Sequence, residues 1–359
     1  MLYEQLARAY DTIETSAGSI EKTNIFSELL QEAKPKEVGP IVALTIGKLH
    51  PDWMGLPEIG LAEKMAVQVL ANAASASENE VLKVLRKTGD IGAAAEELLS
   101  KGGQQSLFPH EYSVADVYKA LDDISRTSGA GSTKEKVAKL VGLLSDSKPI
   151  EAKYILRTIT GTLRLGLGIM GLMDALAVAY SGGKNNRSII ENAFNVCSDL
   201  AHVGSLLATS GINAVKSIKA TVGTPIRMMA AKKLSNSEEI LSKAGGSALA
   251  EYKYDGERIQ IHKRGHHVTL FSRRQEVITE QYPDVVEYVQ SFVSADVCIL
   301  EGECIAIDPT TNRPRPFQEL MRRRRKTGIK EMKKEVPVVL RLFDILFLKD
   351  KDVTSYPMM

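Results

Sequence analysis

The sequence predicts two structural classes in one chain: an all-α first part, residues 1–220, and an α+β second part with a largely antiparallel sheet, residues 221–359. Three observations carry this. Up to about residue 220, apolar residues recur at helical spacing between clusters of Gly, Ser and Pro. From Ser247 onward the spacing changes to the alternation of strands. Between the two, Val222-Gly223-Thr224-Pro225 breaks the helical pattern, and Lys216 and Lys219 make the connection basic. A chain of 359 residues is long enough for two or three domains with sizeable cores.

The helical part reads off in order. Leu61 to Ala74, Val81 to Leu85, Ile91 to Leu99 and Val114 to Ile124 each repeat apolar residues at helical spacing. Gly60, Gly102-Gly103, Pro109, Gly129-Ala130-Gly131 and Gly182-Gly183 punctuate them. Two connections carry possible chemistry. In Gly129-Ala130-Gly131-Ser132-Thr133-Lys134-Glu135, Ser132 and Glu135 have the spacing of a capping box, and the glycines leave amides free to meet an anion. A plain, well-capped interhelical turn accounts for the same residues. After a helix beginning near Pro149, Gly161-Thr162-Leu163-Arg164-Leu165-Gly166-Leu167-Gly168 flanks an arginine with glycines. Such a loop suits close approach to a sugar-phosphate backbone, and it equally suits a tight helix crossing.

In the second part, a polar helix is predicted around Ser237 to Lys243 and another over Val285 to Val293. Strands are predicted over His267 to Ser272, Val297 to Ile307 and Val336 to Leu348. Residues 248–254 read as a strand turning at Asp255-Gly256 into a second strand through Arg258. Alternation then places Glu251 and Lys253 on one face, at the mouth of a hairpin.

Composition narrows the function classes. Charged residues make up 25% and apolar residues 44%, the balance of a soluble globular chain. The net charge is +2, so no global basic field dictates a nucleic-acid partner. The basic character is local, in Arg322-Arg323-Arg324-Arg325-Lys326, which fits either a polyanion contact or a solvated helix end. Cys197, Cys298 and Cys304 lack paired spacing, which argues against a disulfide framework and fits a reducing compartment. The start, Met1-Leu2-Tyr3-Glu4, has no signal-peptide pattern. The most apolar run, Leu165 to Ala179, carries Asp174 and is too short to span a bilayer. His262, His266 and His267 have no Cys or acid at zinc-ligand spacing and are expected at a solvated hairpin tip.

A lysine among acids and an arginine, in Glu251-Tyr252-Lys253-Tyr254-Asp255-Gly256-Glu257-Arg258, suits a nucleophile that attacks phosphorus. Taken alone it also suits a charged hairpin on a solvated sheet edge. Its company is more informative. Phe271-Ser272-Arg273-Arg274 ends a strand with cations, and Leu300-Glu301-Gly302-Glu303 puts two acids into an apolar strand. Unpaired acids there are costly unless a cation or ligand meets them. Leu342-Phe343-Asp344 adds a ring able to stack on a base.

Together these motifs, in this order, resemble those of the ATP-dependent DNA ligases of the archaeal and eukaryotic replicative type, across essentially the whole chain. In the helical part, Leu163-Arg164-Leu165-Gly166 and Glu151-Ala152-Lys153-Tyr154 resemble the DNA-binding domain of that family. The resemblance implies a helical DNA-binding domain followed by a nucleotidyltransferase (adenylation) domain. It implies that Lys253 attacks the α-phosphorus of ATP, that Glu251 reads adenine, and that Arg258 and Arg273 serve ribose and phosphate. Glu303 would hold the ribose hydroxyls or help with Mg²⁺, and Phe343 would stack on adenine. Gly131, Ser132, Arg164 and Gly166 would touch DNA. No residue is assigned as a certain metal ligand. Nicked duplex DNA is the implied partner, with a sliding clamp as a further one and a monomer as the expected state. No membrane is involved. Location would be cytoplasmic in an archaeon and nuclear in a eukaryote.

Relative to the family pattern, the sequence is expected to lack a further glutamate-bearing strand, a paired-lysine strand and a C-terminal OB-fold. It therefore reads as truncated within the adenylation domain. The alternative function is a DNA-binding module with little or no adenylation activity.

Overall fold

The amphipathic segments of the first part become helices whose ends lie at their capping residues. They are α1 (Tyr3–Thr15), α2 (Ser19–Glu32), α3 (Val38–Ile46), α4 (Glu63–Ala73), α5 (Glu78–Thr88) and α6 (Ile91–Ser100). There follow α7 (Val114–Arg126), α8 (Ser132–Asp146), α9 (Pro149–Ile159), α10 (Ile169–Ser181), α11 (Arg187–Cys197) and α12 (Leu200–Lys216). Ser77, Asp90, Ser113 and Asp199 accept backbone N–H groups at the starts of α5, α6, α7 and α12. The structure is a computed structural model and describes residues 1–57, 61–101, 110–229, 231–324 and 328–357. The predicted punctuation at Gly60, Gly102-Gly103 and Pro109 lies outside the described residues, as do Arg325 and Lys326.

The chain divides into two compact units, residues 1–51, 56–194 and 199–218 in the first and residues 52–55, 195–198 and 219–359 in the second. In the first, α9 packs on α6, α10 on α2, α12 on α3 and α4 on α8. The core includes Leu6, Tyr10 and Ile13 of α1, Phe26 and Leu30 of α2, and Ile155, Leu156 and Ile159 of α9. An ion network lies between α1, α6 and α9. Arg157 donates to Glu14 at 2.6 Å and to Asp90 at 2.9 Å, and Lys153 donates to Asp11 at 2.6 Å. Lys153 and Arg157 are buried. The Glu151-Ala152-Lys153-Tyr154 segment therefore serves the helix packing of this unit.

The second unit has α13 (Ser237–Lys243), β1 (Glu257–Arg264), β2 (His267–Ser272), α14 (Pro283–Phe292) and β3 (Val297–Ala306). It continues with α15 (Phe317–Leu320), α16 (Ile329–Glu335), β4 (Val338–Leu348) and β5 (Lys351–Asp352). The sheet order is β2-β1-β3-β4-β5, with every neighbouring pair antiparallel. Alternation sorts the faces. Ile259, Ile261, Leu270, Leu300 and Cys304 join Val285 and Val289 of α14 in one core. Arg258, Gln260 and His262 fall on the opposite face, in register with Glu303, Glu301 and Ile299 of β3.

Four local expectations are corrected. Residues 248–255 form no strand, so Lys253 lies on an exposed irregular segment leading into β1 and not in a hairpin. No described partner strand pairs with this segment, so the alternation argument that shared a face between Glu251 and Lys253 has no basis there. Ser132 is the first residue of α8 and not its cap. Gly131 caps it at φ +85°, a conformation open to glycine, and Glu135 instead pairs with Lys139 at 2.7 Å. His262 is 1% exposed and not at a solvated tip, because its position in β1 faces inward; His266 and His267 alone are exposed. The described part of the basic run is internally spent. Arg323 is buried against Asp284, Arg324 pairs with Glu257 at 2.5 Å, and Arg322 pairs with Glu335 at 2.7 Å.

Candidate active site

The site residues gather where the segment before β1 meets the open face of the sheet. Gly256 makes the turn into β1 close against β3: a Cβ there would lie 2.3 Å from the Cys304 carbonyl oxygen. Only glycine allows that approach. The turn delivers Lys253 to a cleft of about 540 Å³ lined by Glu251, Tyr252, Lys253, Tyr254, Glu303, Leu342 and Phe343. Lys253 is exposed and makes no ion pair or hydrogen bond with a described residue. The cleft thus combines an available amine, two carboxylates and an aromatic ring.

Arg258 stands beside this cleft. It pairs with Glu301, and its guanidinium lies 5.2 Å from the centre of the Phe343 ring. The pairing answers the cost of an acid in an apolar strand: Glu301 is 3% exposed and also accepts from Gln260 Nε2 at 2.9 Å. Glu303 is only half-buried and has no such ion pair among the described residues. Burial raises its carboxyl above the ordinary range, while Lys253, Arg258 and the Gly256 amide favour the ionised form.

A smaller hollow on the same face is lined by Pro225, Ile226, Met228, Arg258, Gln260, Ser272, Arg273, Gln275 and Glu301. Arg273 is exposed at its rim, just beyond the end of β2. The structure thus brings Lys253, Glu251, Glu303 and Phe343 to one cleft, and Arg258 and Arg273 to the adjoining hollow. Among the described residues there is no group of three or more His, Cys, Asp or Glu side chains able to hold a metal ion.

Sequence reasoning assigned Gln260 no role and placed His262 at a solvated tip. Polar residues at Arg258, Gln260 and His262, alternating with Ile259 and Ile261, look like a solvated strand face. The signal that distinguishes them is the linker Val222 to Ile226, whose backbone covers that face.

The four helical-unit candidates lie on two loops. Gly131 and Ser132 form the start of α8, with Gly131 exposed. Arg164 and Gly166 lie between α9 and α10, both exposed and both at positive φ, +49° and +65°. Lys22 of α2 donates to the Leu165 carbonyl at 2.9 Å and holds that loop.

Known proteins can be set beside this geometry. A family model described as "DNA ligase N terminus" matches residues 2–177, and one described as "ATP dependent DNA ligase domain" matches residues 228–359. The chain is 45% identical to a DNA ligase of Staphylothermus marinus, over 100% of this chain and 62% of that protein. It is 45% identical to DNA ligase 2 of Thermofilum pendens, over 99% of this chain and 60% of that protein. Identity to a DNA ligase of Saccharolobus shibatae is 40%, over 100% and 61%. The chain thus spans 60–62% of the length of these relatives. No helix among the described residues is long and apolar enough to cross a membrane.

Proposed function

The chain belongs to the ATP-dependent DNA ligase family, and from that premise we propose that it takes part in sealing nicks in duplex DNA through an adenylated Lys253. The observation that carries this is the cleft itself: an amine without an ion-pair partner among the described residues, facing Glu251, Glu303 and Phe343. A nucleotidyl transfer needs such an amine, positioned in line with the phosphorus it attacks.

In this reading, the Lys253 amine loses its proton and forms a bond to the α-phosphorus of ATP. The bond to pyrophosphate breaks, leaving AMP on the lysine nitrogen. A 5′-phosphate oxygen at the nick then takes the AMP and frees Lys253. The 3′-hydroxyl attacks that phosphate, loses its proton and expels AMP. Phe343 offers a face for adenine, and Glu251 an acceptor for its amino group. Arg258 and Arg273 serve ribose and phosphate oxygens in this reading, since guanidinium forks match both.

Mg²⁺ would neutralise triphosphate charge. The Glu303 carboxylate would be the cleft's own oxygen donor, and a hard cation held mainly by the substrate's phosphates needs little more from the protein. Residues 1–220 serve as the DNA-binding domain and residues 221–359 as the adenylation domain. The two loops, with Gly131 and Ser132 on one and Arg164 and Gly166 on the other, meet the duplex. The reading carries a monomer in the cytoplasm, associated with the nucleoid, because the relatives compared above are archaeal. It carries a sliding clamp as a protein partner on resemblance alone.

The test is transfer of label from α-labelled ATP in the presence of Mg²⁺. Label should appear on the chain and vanish in Lys253→Ala. A chain that takes up no label, or a variant that keeps it, overturns the adenylation reading.

A further inference from the structure

The open face of the sheet carries a polar relay that the proposed chemistry does not use directly. The Gly223 N–H donates to His262 Nδ1 at 2.8 Å, so the ring proton sits on Nε2. Nε2 donates to Gln260 Oε1 at 2.9 Å. That oxygen also accepts from the Ile226 N–H at 2.7 Å. The Gln260 amide nitrogen donates to the Ile226 carbonyl at 3.0 Å and to Glu301 Oε1 at 2.9 Å. The other Glu301 oxygen accepts from Arg258, whose guanidinium lies over the Phe343 ring. Gln260, His262 and Glu301 are at most 5% exposed.

Every hydrogen-bonding capacity of the Gln260 amide is used, two on each end. The amide therefore cannot flip, and its NH₂ end stays on Glu301. Removing the histidine would take away one of the two donors to the Gln260 oxygen and loosen the amide, while the Ile226 N–H and carbonyl still favour the same orientation. The backbone at residues 223–226 thereby sets the amide, the amide sets Glu301, and Glu301 sets Arg258. Arg258 has a buried Nε–H with no hydrogen-bond partner among the described residues, so the guanidinium depends on Glu301 and Phe343 for its orientation.

We propose that Gln260 and His262 are positioning residues, which hold Arg258 in register with the Lys253 cleft through Glu301. The proposal rests on reading that cleft as a nucleotide site, and its test separates the two. The 359-residue chain is compared with Gln260→Leu and His262→Phe. The second keeps a ring against Phe271, 4.8 Å away between centroids, and leaves Gln260 in place should the first not fold.

One readout is independent of nucleotide: the side-chain Nε–H signal of Arg258 in ¹⁵N NMR, assigned by its loss in Arg258→Lys. It should be sharp in the parent chain, and broadened or exchanging about tenfold faster in either variant. A signal unchanged in both overturns the proposal. The other readout is labelling from α-labelled ATP. The KM for ATP should rise about tenfold, the effect of one charge-assisted hydrogen bond, with kcat nearly unchanged. In an Arg258→Ala background, Gln260→Leu should add nothing. An effect that persists undiminished there shows a purely structural role and also overturns the proposal. Should the parent chain take up no label, the nucleotide reading fails, and the Arg258 signal still decides the relay.

Discussion

Glu303 shows how one side chain is pulled between stability and function. Its half-buried position raises the carboxyl's pKa. For an acid raised on folding, stability is fully present below the unfolded value and is lost as pH rises through the folded value. Glu303→Gln never ionises and avoids that loss. At neutral pH it should melt higher than the parent by on the order of 2 °C, and the difference should vanish below the carboxylate range. Adenylation should move the other way. If the ionised carboxylate serves ribose or Mg²⁺, labelling of the parent falls as pH drops through the raised value, and Glu303→Gln labels poorly throughout. Melting curves and label uptake across pH 4 to 8, about the range bracketing carboxyl and histidine titration, check both. A variant that labels as well as the parent removes Glu303 from the site.

At the scale of elements, the described part of the basic run between α15 and α16, Arg322 to Arg324, departs furthest from its local pattern. Five cations in a row suit a polyanion contact or a solvated helix end. Instead Arg323 is 1% exposed, bonded to both Asp284 oxygens at 2.8 Å and stacked 4.9 Å from the centre of the Tyr282 ring. It fastens the segment after α15 to α14. Arg323→Met should therefore cost about 3–5 kcal/mol, because it strands a buried Asp284 carboxylate. Arg322→Ala should cost within about 0.5 kcal/mol, since its pair with Glu335 is exposed. Denaturant midpoints measure both. Equal losses in the two variants would refute the assignment. Adding Asp284→Leu to Arg323→Met should recover part of the loss.

For the molecule as a whole, charge is organised by position and not by total. A net charge of +2 gives weak general attraction to DNA, so the proposed duplex binding would rest on local contacts. With Arg322 and Arg324 paired internally and Arg323 buried, the Arg164 loop is the stronger candidate. Duplex affinity should fall steeply with salt. Arg164→Ala should lower the log–log slope by about 0.9, one phosphate contact, and Arg322→Ala should leave it unchanged. Fluorescence anisotropy of a labelled nicked duplex over a salt series reads this. An unchanged slope in Arg164→Ala takes that residue out of the interface.

Some of this was determined by the sequence alone. Helical spacing gave α4, α5, α6 and α7, and strand alternation gave β2, β3 and β4, because periodicity is a property of neighbours along the chain. The company of Lys253, Arg273, Glu303 and Phe343 was legible as ordered motifs. What only the tertiary structure decided are matters of which surface gets covered. Residues 248–255 alternate like a strand yet meet no partner strand among the described residues, since strand formation needs an edge to pair with. Arg323 and His262 are polar in sequence and buried in space, because Asp284 and the Gly223 amide arrive from distant segments to satisfy them. Arg258, Gln260 and His262 became one relay only when the linker folded over their face, a contact that no local pattern encodes.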